Sequence, residues 1–228
     1  MKHENLPTGW TLATLEDLLN YIQPTNYIVE STNYNDAYKT PVLTAGKSFI
    51  LGHTNETEGI FTNLPTIIFD DFTTAIKYVN FPFKVKSSAM KILVPTSVEV
   101  NLRYVFYFME TLNMNVDTHK RYWISVGSKI EIPLAPLNEQ QKIVHKIDNI
   151  FSEFDNILNN INDLTGEKLT LSSIKGKIGK MRQIILKQAF EGKLISQDPN
   201  DEPASILLNR IKQKDIFQIT DKKIKSKK

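Results

Sequence analysis

Apolar residues recur at Ile143, Ile147, Ile150, Phe154, Ile157, Ile161 and Leu164, in alternating steps of four and three. An a/d seam held this long signals a coiled coil rather than an ordinary surface helix. The stretch that carries it, Pro136 to Phe190, divides the chain. The pattern before it is β-like, and a short helical segment follows it. A chain laid out this way is expected to be α+β: a β-rich head, then a long coiled-coil helix, then a short C-terminal helix.

The seam changes register past Leu164. Strict continuation would put Lys168 and Lys175 at core positions. A second seam takes over instead at Leu171, Ile174, Ile178, Met181 and Ile185, and joining the two needs a three-residue offset, a stammer. Gly166, Gly176 and Gly179 fall in the same region, and each costs about 1 kcal/mol against Ala inside a helix. Two arrangements remain open. One is a helix continuous from Glu139 to Phe190, on the order of 80 Å long. The other is a pair of helices broken near Thr165-Gly166. The continuous helix is the favoured one, with both seams serving dimerisation. Asn138 is the expected N-cap, with Gln141 at N3 and Glu139 near the positive helix end. Gly192 is the expected C′ residue. Pro203 then starts a helix from Ala204 to about Ile216, with Ile206, Leu207, Leu208 and Ile211 on its apolar side.

In the head, Pro7 and Gly9 make a turn and Trp10 anchors the N-terminus to the core. Thr14 to Leu19 reads as a short helix capped by Thr14 and Asp17. Strands are expected at Thr40–Thr44, Ile60–Thr62, Thr66–Phe69, Ala75–Val79, Phe83–Lys86 and Met90–Pro95, forming a twisted, mostly antiparallel sheet. Leu102–Leu112 is aromatic-rich and long enough for a buried helix. Strand-like runs at Tyr122–Val126 and Lys129–Leu134 lead into the rod. Trp123 and the Tyr104–Phe108 run are assigned to the core.

The composition excludes several chemistries. The chain has no cysteine, so disulfides, thiolate metal sites and a Cys nucleophile are out. No apolar run approaches a membrane span, and the start lacks a signal-peptide core, which fits a cytoplasmic protein. No P-loop, nucleophile elbow or zinc-helix motif is present. The four histidines show no metal-ligand spacing. Asp70-Asp71 before Lys84-Val85-Lys86 partly fits a nuclease metal site, but Lys84 stands where the second carboxylate would be. Residues 1–138 carry 11 basic and 13 acidic side chains, and residues 139–228 carry 17 and 12. The head is therefore not basic as a whole, and a nucleic-acid partner would have to meet a local patch. The last seven residues include five lysines and read as a solvated end.

At the rod a resemblance emerges. Ile132-Pro133-Leu134-Ala135-Pro136-Leu137-Asn138-Glu139-Gln140-Gln141-Lys142-Ile143-Val144 resembles the signature "iPLPPLxEQxxIV" of specificity subunits of type I restriction–modification systems, with Ala135 in place of the usual Pro. Ile185–Leu194 resembles that family's "iLkxAFxGkL" segment, Asp201–Leu208 its "xEPAxxLL" segment, and Leu6–Trp10 the "LPxGW" opening of a target-recognition domain. The four occur in family order.

The resemblance implies a DNA-reading subunit without catalysis. It implies no cofactor in this chain, with S-adenosylmethionine and ATP with Mg belonging to the partner methyltransferase and restriction subunits. Family members usually carry two recognition domains and two helical regions. This chain has one of each, so it looks like a half-subunit that pairs with itself or with a second half-subunit. The expected layout is a target-recognition domain over 1–137, a helical dimerisation region over 138–191, a loop and helix over 192–218, and a basic disordered tail over 219–228.

Base reading needs donors and acceptors on exposed loops, with cations on phosphates. On chemistry alone the candidates are Thr44, Gly46, Lys47 and Ser48; then Asp70, Asp71, Thr73, Thr74 and Lys77; then Lys84, Lys86, Ser87, Ser88 and Lys91, with His119, Lys120, Arg121 and Tyr122. A rival from another class is a coiled-coil adaptor or scaffold with a β-rich ligand-binding head. Salt-dependent binding to duplex DNA separates the two.

Overall fold

The alternation of faces in one central strand organises the head. The computed structural model describes residues 6–44, 48–112, 114, 122–165 and 168–225, and the side chains of these except 162–165, 168–171 and 215–225. Strand β5 (Thr66–Asp70) is buried along its whole length. Ile67 and Phe69 face the larger core, whereas Ile68 faces a smaller one. Such two-sided burial turns a strand into a continuous apolar run.

Among the described residues, nine strands form three sheets. Strands β2 (Leu19–Ile22), β8 (Met90–Pro95), β5 and β6 (Ile76–Val79) make an antiparallel sheet in that order. A smaller sheet has β3 (Thr40–Leu43) at its centre, antiparallel to β4 (Ile50–Thr54) and parallel to β7 (Lys84–Val85). A two-stranded ribbon pairs β1 (Thr11–Thr14) with β9 (Glu131–Leu134). One helical turn, α1 (Leu15–Leu18), joins β1 to β2, and the Thr14 N–H donates to Asp17 Oδ2 at 2.9 Å. Helix α2 (Leu102–Met109) is buried as expected, and the Asn101 side chain accepts from the Tyr104 N–H.

Several local expectations are corrected. Tyr122–Val126 is not a strand: Tyr122–Ser125 forms α3, with Trp123 alone buried and Ile124 and Val126 in solvent. The Trp123 N–H is held by Asp71 Oδ1 at 3.0 Å, a tertiary contact that alternation of side chains does not reveal. Ile60–Thr62 makes only an isolated bridge, Phe61 to Phe83. Strands β1, β2 and β4 carry no clear sequence signal, because they are short and partly exposed.

The favoured continuous rod is replaced by a helical hairpin. Helix α4 (Leu137–Thr165) and helix α5 (Lys168–Phe190) are separate. Arg182 of α5 bonds Asp155 of α4 at 2.5 Å and lies over the Phe151 ring at 4.6 Å. Those partners precede the break by about as many residues as Arg182 follows it, so the helices run antiparallel. The offset between the two seams is thus a change of helix and not a stammer. A hairpin lets both apolar stripes meet inside one chain. Ile143, Ile147, Phe154 and Ile178 are buried in the same core as the head. Ile150, Ile174 and Ile185 are partly buried against it. Ile161 is half-buried, and Ile157 and Met181 are exposed. The side chains of Leu164 and Leu171 lie outside the described residues.

Helix α4 starts at Leu137, and the Gln140 N–H donates to the Pro136 carbonyl in its first turn. Asn138 is therefore inside the helix and not its cap; its amide donates to Asp201 instead. Gly192 does end α5, with φ +69°, and the Lys193 N–H to Gln188 and Gly192 N–H to Ala189 bonds make a Schellman motif. Helix α6 (Ala204–Lys225) extends past the expected end near Ile216 into the stretch expected to be a disordered tail. No Gly or Pro follows Pro203 to stop it.

The four motifs of the resemblance meet at one junction. The Trp10 indole N–H donates to Glu139 Oε2 at 3.0 Å. The Ala204 N–H donates to the Gly9 carbonyl at 2.8 Å. A side chain at Gly192 would run into the Pro7 ring. The start of the head, both ends of the hairpin and the start of α6 are thereby tied together. Helix α6 docks on its own head, where Lys212 pairs with Asp17 at 3.0 Å and Lys214 with Glu99 at 2.9 Å.

Candidate functional site

Loops from four parts of the sequence converge at one end of the sheets. The Lys86 N–H donates to the Leu43 carbonyl, joining the turn after β7 to the loop after β3. The Asp71 N–H reaches the Ala89 carbonyl at 3.3 Å, joining the turn after β5 to the turn before β8. Asp71 Oδ1 holds the Trp123 N–H, and Thr74 Oγ1 reaches the Met114 carbonyl at 3.4 Å. Three candidate clusters far apart in sequence thus become neighbours.

The turn Asp70–Thr74 lies at the centre and is fixed from within. Asp70 Oδ1 accepts from the Phe72 N–H at 3.0 Å, the Thr73 N–H at 2.7 Å and the Thr73 hydroxyl at 2.9 Å. The Thr74 N–H donates to the Asp70 carbonyl at 2.9 Å, and Thr74 itself sits at φ +56°. A β-branched residue in that region needs this much support.

Four charged candidates prove to be structural. Asp70 is buried, and its Oδ1 accepts three bonds from its own turn. Asp71 is buried and pairs with Lys91 at 3.2 Å, while Lys91 also donates to the Ser88 carbonyl. Lys84 is buried, pairs with Glu56 at 2.7 Å and donates to the Glu58 carbonyl. Burial pushes the Glu56 carboxyl up, but Lys84 and the backbone N–H groups of Ser31 and Glu30 outweigh it and hold the group below the usual glutamate value. Buried charges need such partners, so these four position loops and are not open to a ligand.

The remaining described candidates are less buried. Ser48, Thr73, Lys77, Lys86, Ser87 and Ser88 are exposed, and Thr44, Thr74 and Tyr122 are half-buried. The Thr44 N–H closes its loop on the Phe49 carbonyl, and Lys86 lies over the Tyr34 ring at 5.8 Å. Gly46, Lys47, His119, Lys120 and Arg121 lie outside the described residues. The surface therefore carries the hydroxyls of Ser48, Ser87 and Ser88 and the exposed ammonium groups of Lys77 and Lys86, whereas the Thr73 and Thr74 hydroxyls already donate to Asp70 Oδ1 and the Thr73 carbonyl. Such a mixture suits phosphates and base edges. Residue-type reasoning passes over Phe72, which is 55% exposed within the central turn. The signal for it is an aromatic residue inside a wholly polar turn.

Among the described residues, no helix is long and apolar enough to cross a membrane, and no group of three or more His, Asp or Glu could hold a metal ion.

A family model for the type I restriction modification DNA specificity domain matches residues 7–181. Over 161 residues the chain is 47% identical to the EcoR124I/EcoR124II type I restriction enzyme specificity subunit of Escherichia coli, covering 67% of this chain and 38% of that protein. It is 48% identical over 59 residues to the EcoEI specificity subunit of Escherichia coli, covering 26% of this chain and 10% of that one. The chain thus spans well under half the length of these relatives. The fold is similar to the crystal structure of the HsdS subunit from Thermoanaerobacter tengcongensis, with TM-score 0.50 and 19% identity over 85% of this chain and 48% of the other. A structure from work on complex assembly and conformational transition of the type I R-M system gives TM-score 0.51 and 18% identity over the same shares of the two chains.

Proposed function

The chain belongs to the type I restriction modification DNA specificity domain family, and from that premise we propose that its head reads a short DNA sequence on behalf of a type I restriction–modification complex. The observation that carries this reading is the convergence of the loops after β3, β5 and β7 with α3 at one end of the sheets. That end exposes hydroxyls and lysines around the Asp70–Thr74 turn, which is braced from within.

In this reading the chain supplies recognition alone. Methyltransferase subunits transfer a methyl group from S-adenosylmethionine to adenine, and restriction subunits cut with ATP and Mg. The α4/α5 hairpin recruits the methyltransferase and pairs two recognition heads. Ile143, Ile147, Phe154 and Ile178 already serve this chain's own core. Pairing therefore falls to the outward side chains Ile157, Met181 and Ile184. Two copies related by a two-fold axis would read two identical half-sites in inverted orientation. Helix α4 has 29 residues, about 44 Å, a little over one DNA turn of about 34 Å. A spacer of about one turn follows, shorter than a continuous rod would give.

Methylome sequencing of cells that express this chain with its partner methyltransferase tests the reading. The expected result is methylated adenine in a bipartite, inverted motif with a spacer that is not read. Absence of any sequence-specific methylation, relative to cells with the methyltransferase alone, would overturn it.

A further inference from the structure

Phe72 is an apolar ring held out into solvent by a turn that cannot easily take it back. It is 55% exposed. Both residues before it are anchored, Asp70 by three bonds within the turn and Asp71 by Lys91 and the Trp123 N–H. Its own N–H is one of the donors to Asp70, so the backbone that aims the ring is fixed. Among the described residues the ring has no aromatic partner, although Phe69, three residues earlier, packs with Tyr122 and Trp123. Ile124, 52% exposed, follows Trp123, whose N–H binds Asp71, so a second apolar side chain stands on the neighbouring element. The rest of this end is polar, with Thr73, Ser87, Ser88 and Lys86.

An exposed ring costs solvation and contributes nothing to the core, so its place suits a contact made only in a complex. Isolated apolar side chains set among hydroxyls and cations are the wedges by which proteins part a base step. We propose that Phe72 is such a wedge: its ring enters between two stacked base pairs of the recognised DNA and partly unstacks them. The inference rests on the DNA-reading function proposed above. The favoured step is a pyrimidine–purine step, which unstacks most easily. The locked Asp70–Thr74 turn makes the wedge effective, because a flexible turn would fold the ring back against the protein. A wedge reads deformability as well as base edges, so Phe72 would add selectivity at a position without a hydrogen bond.

The test uses the assembled complex of this chain with its methyltransferase and a duplex carrying the motif found by methylome sequencing. 2-Aminopurine replaces adenine at successive positions across the motif. With the wild-type chain, binding should raise 2-aminopurine fluorescence at one step of each half-site apart from the target adenine, which the methyltransferase itself takes out of the stack. Phe72→Ala should abolish that rise and weaken specific binding on the order of tenfold. The salt dependence should stay unchanged, since no phosphate contact is lost. Phe72→Leu, still an apolar wedge, should keep most of the affinity. A thermal melt checks that Phe72→Ala folds, as expected for an exposed side chain. Wild-type affinity and an unaltered fluorescence profile in folded Phe72→Ala would overturn the proposal. So would normal DNA binding combined with loss of the methyltransferase, which would make Phe72 a protein contact. A wild-type complex that ignores the motif duplex would instead defeat the DNA-reading function itself, and the wedge with it.

Discussion

Arg103 on α2 reaches across the head to Asp148 on α4, with Nη2 at 3.0 Å from Oδ1. Its guanidinium also lies over the rings of Tyr78 at 4.7 Å and Tyr107 at 5.1 Å, and the Tyr107 hydroxyl bonds the same carboxylate. A cavity of about 470 Å³ adjoins this contact and also meets Arg182 and Asp155 of the hairpin. Arg103 therefore sits where the sheet, the aromatic helix and the hairpin meet, and it helps to hold the head at a set angle to the helices.

Arg103→Ala should destabilise the protein by about 1–2 kcal/mol, mainly through lost ring contacts, because the ion pair is partly exposed and screened. Arg103→Lys should recover only part, since an ammonium does not stack as a planar guanidinium does. Chemical denaturation of the three proteins checks the order. Equal stability for the Lys and wild-type forms would show that charge alone matters.

Glu139 gives a pH-dependent prediction. Burial pushes its carboxyl above the usual glutamate value; the Trp10 hydrogen bond opposes this, the Asp201 charge adds to it, and Lys142 opposes it. A raised carboxyl contributes stability that is full below the ordinary value of 4.5 and is lost as pH rises through the folded value. Glu139→Gln keeps an acceptor for Trp10 and removes the buried charge. It should match or exceed wild-type stability at neutral pH and flatten the pH profile just above pH 4.5. Glu139→Ala should cost about 1–3 kcal/mol by orphaning the indole N–H. Melting curves from acidic to neutral pH read both effects.

Three glycines separate two roles. Gly192 combines φ +69° with the Pro7 ring packed where a Cβ would be, so Gly192→Ala should destabilise by more than about 1 kcal/mol. Gly176 and Gly179 lie inside α5, and the space a Cβ would take at either is open to 4 Å, so alanine at either should stabilise by up to about 1 kcal/mol. Denaturation midpoints measure all three, and a gain at Gly192 would contradict its close packing on Pro7.

The limits of reading the chain alone follow from these contacts. The head's strands at Thr66–Phe69 and Met90–Pro95 are legible because burial on both faces writes the short apolar runs Ile67–Phe69 and Ile92–Val94. The hairpin is harder. Periodicity reports that Ile143, Ile147 and Phe154 face something, but it does not report whether that partner is another chain or the chain's own α2 and α5. Likewise Asp71 looks like a free acceptor, because nothing local marks the Trp123 and Lys91 groups that occupy it, whereas the Asp70 bonds to Phe72 and Thr73 are a local turn that an Asp followed three residues on by Thr can form. The motifs at Pro7, Glu139, Gly192 and Pro203 are legible as a family signature, and the junction supplies their physical reason.

Lys86 is exposed at the convergent end, unlike Lys84 and Lys91. Lys86→Ala should weaken binding to all duplexes alike and lower the salt slope by about 1, the signature of one lost phosphate contact. Titrations at several salt concentrations check this; an unchanged slope would move Lys86 off the DNA.

If the end of the sheets carrying Thr73 and Ser88 reads bases, losing either hydroxyl should change the sequence that is methylated. Methylome sequencing with Thr73→Ala and Ser88→Ala chains, each expressed with the partner methyltransferase, measures this. Both side chains are exposed, but the Thr73 hydroxyl also braces its turn through Asp70, so a thermal melt checks Thr73→Ala and Ser88→Ala serves as the variant that leaves the turn intact. Methylation should continue but relax at particular positions of the half-site, while the spacer stays the same. An unchanged half-site in both variants, with the complex intact, would show that this end of the sheets does not read the bases.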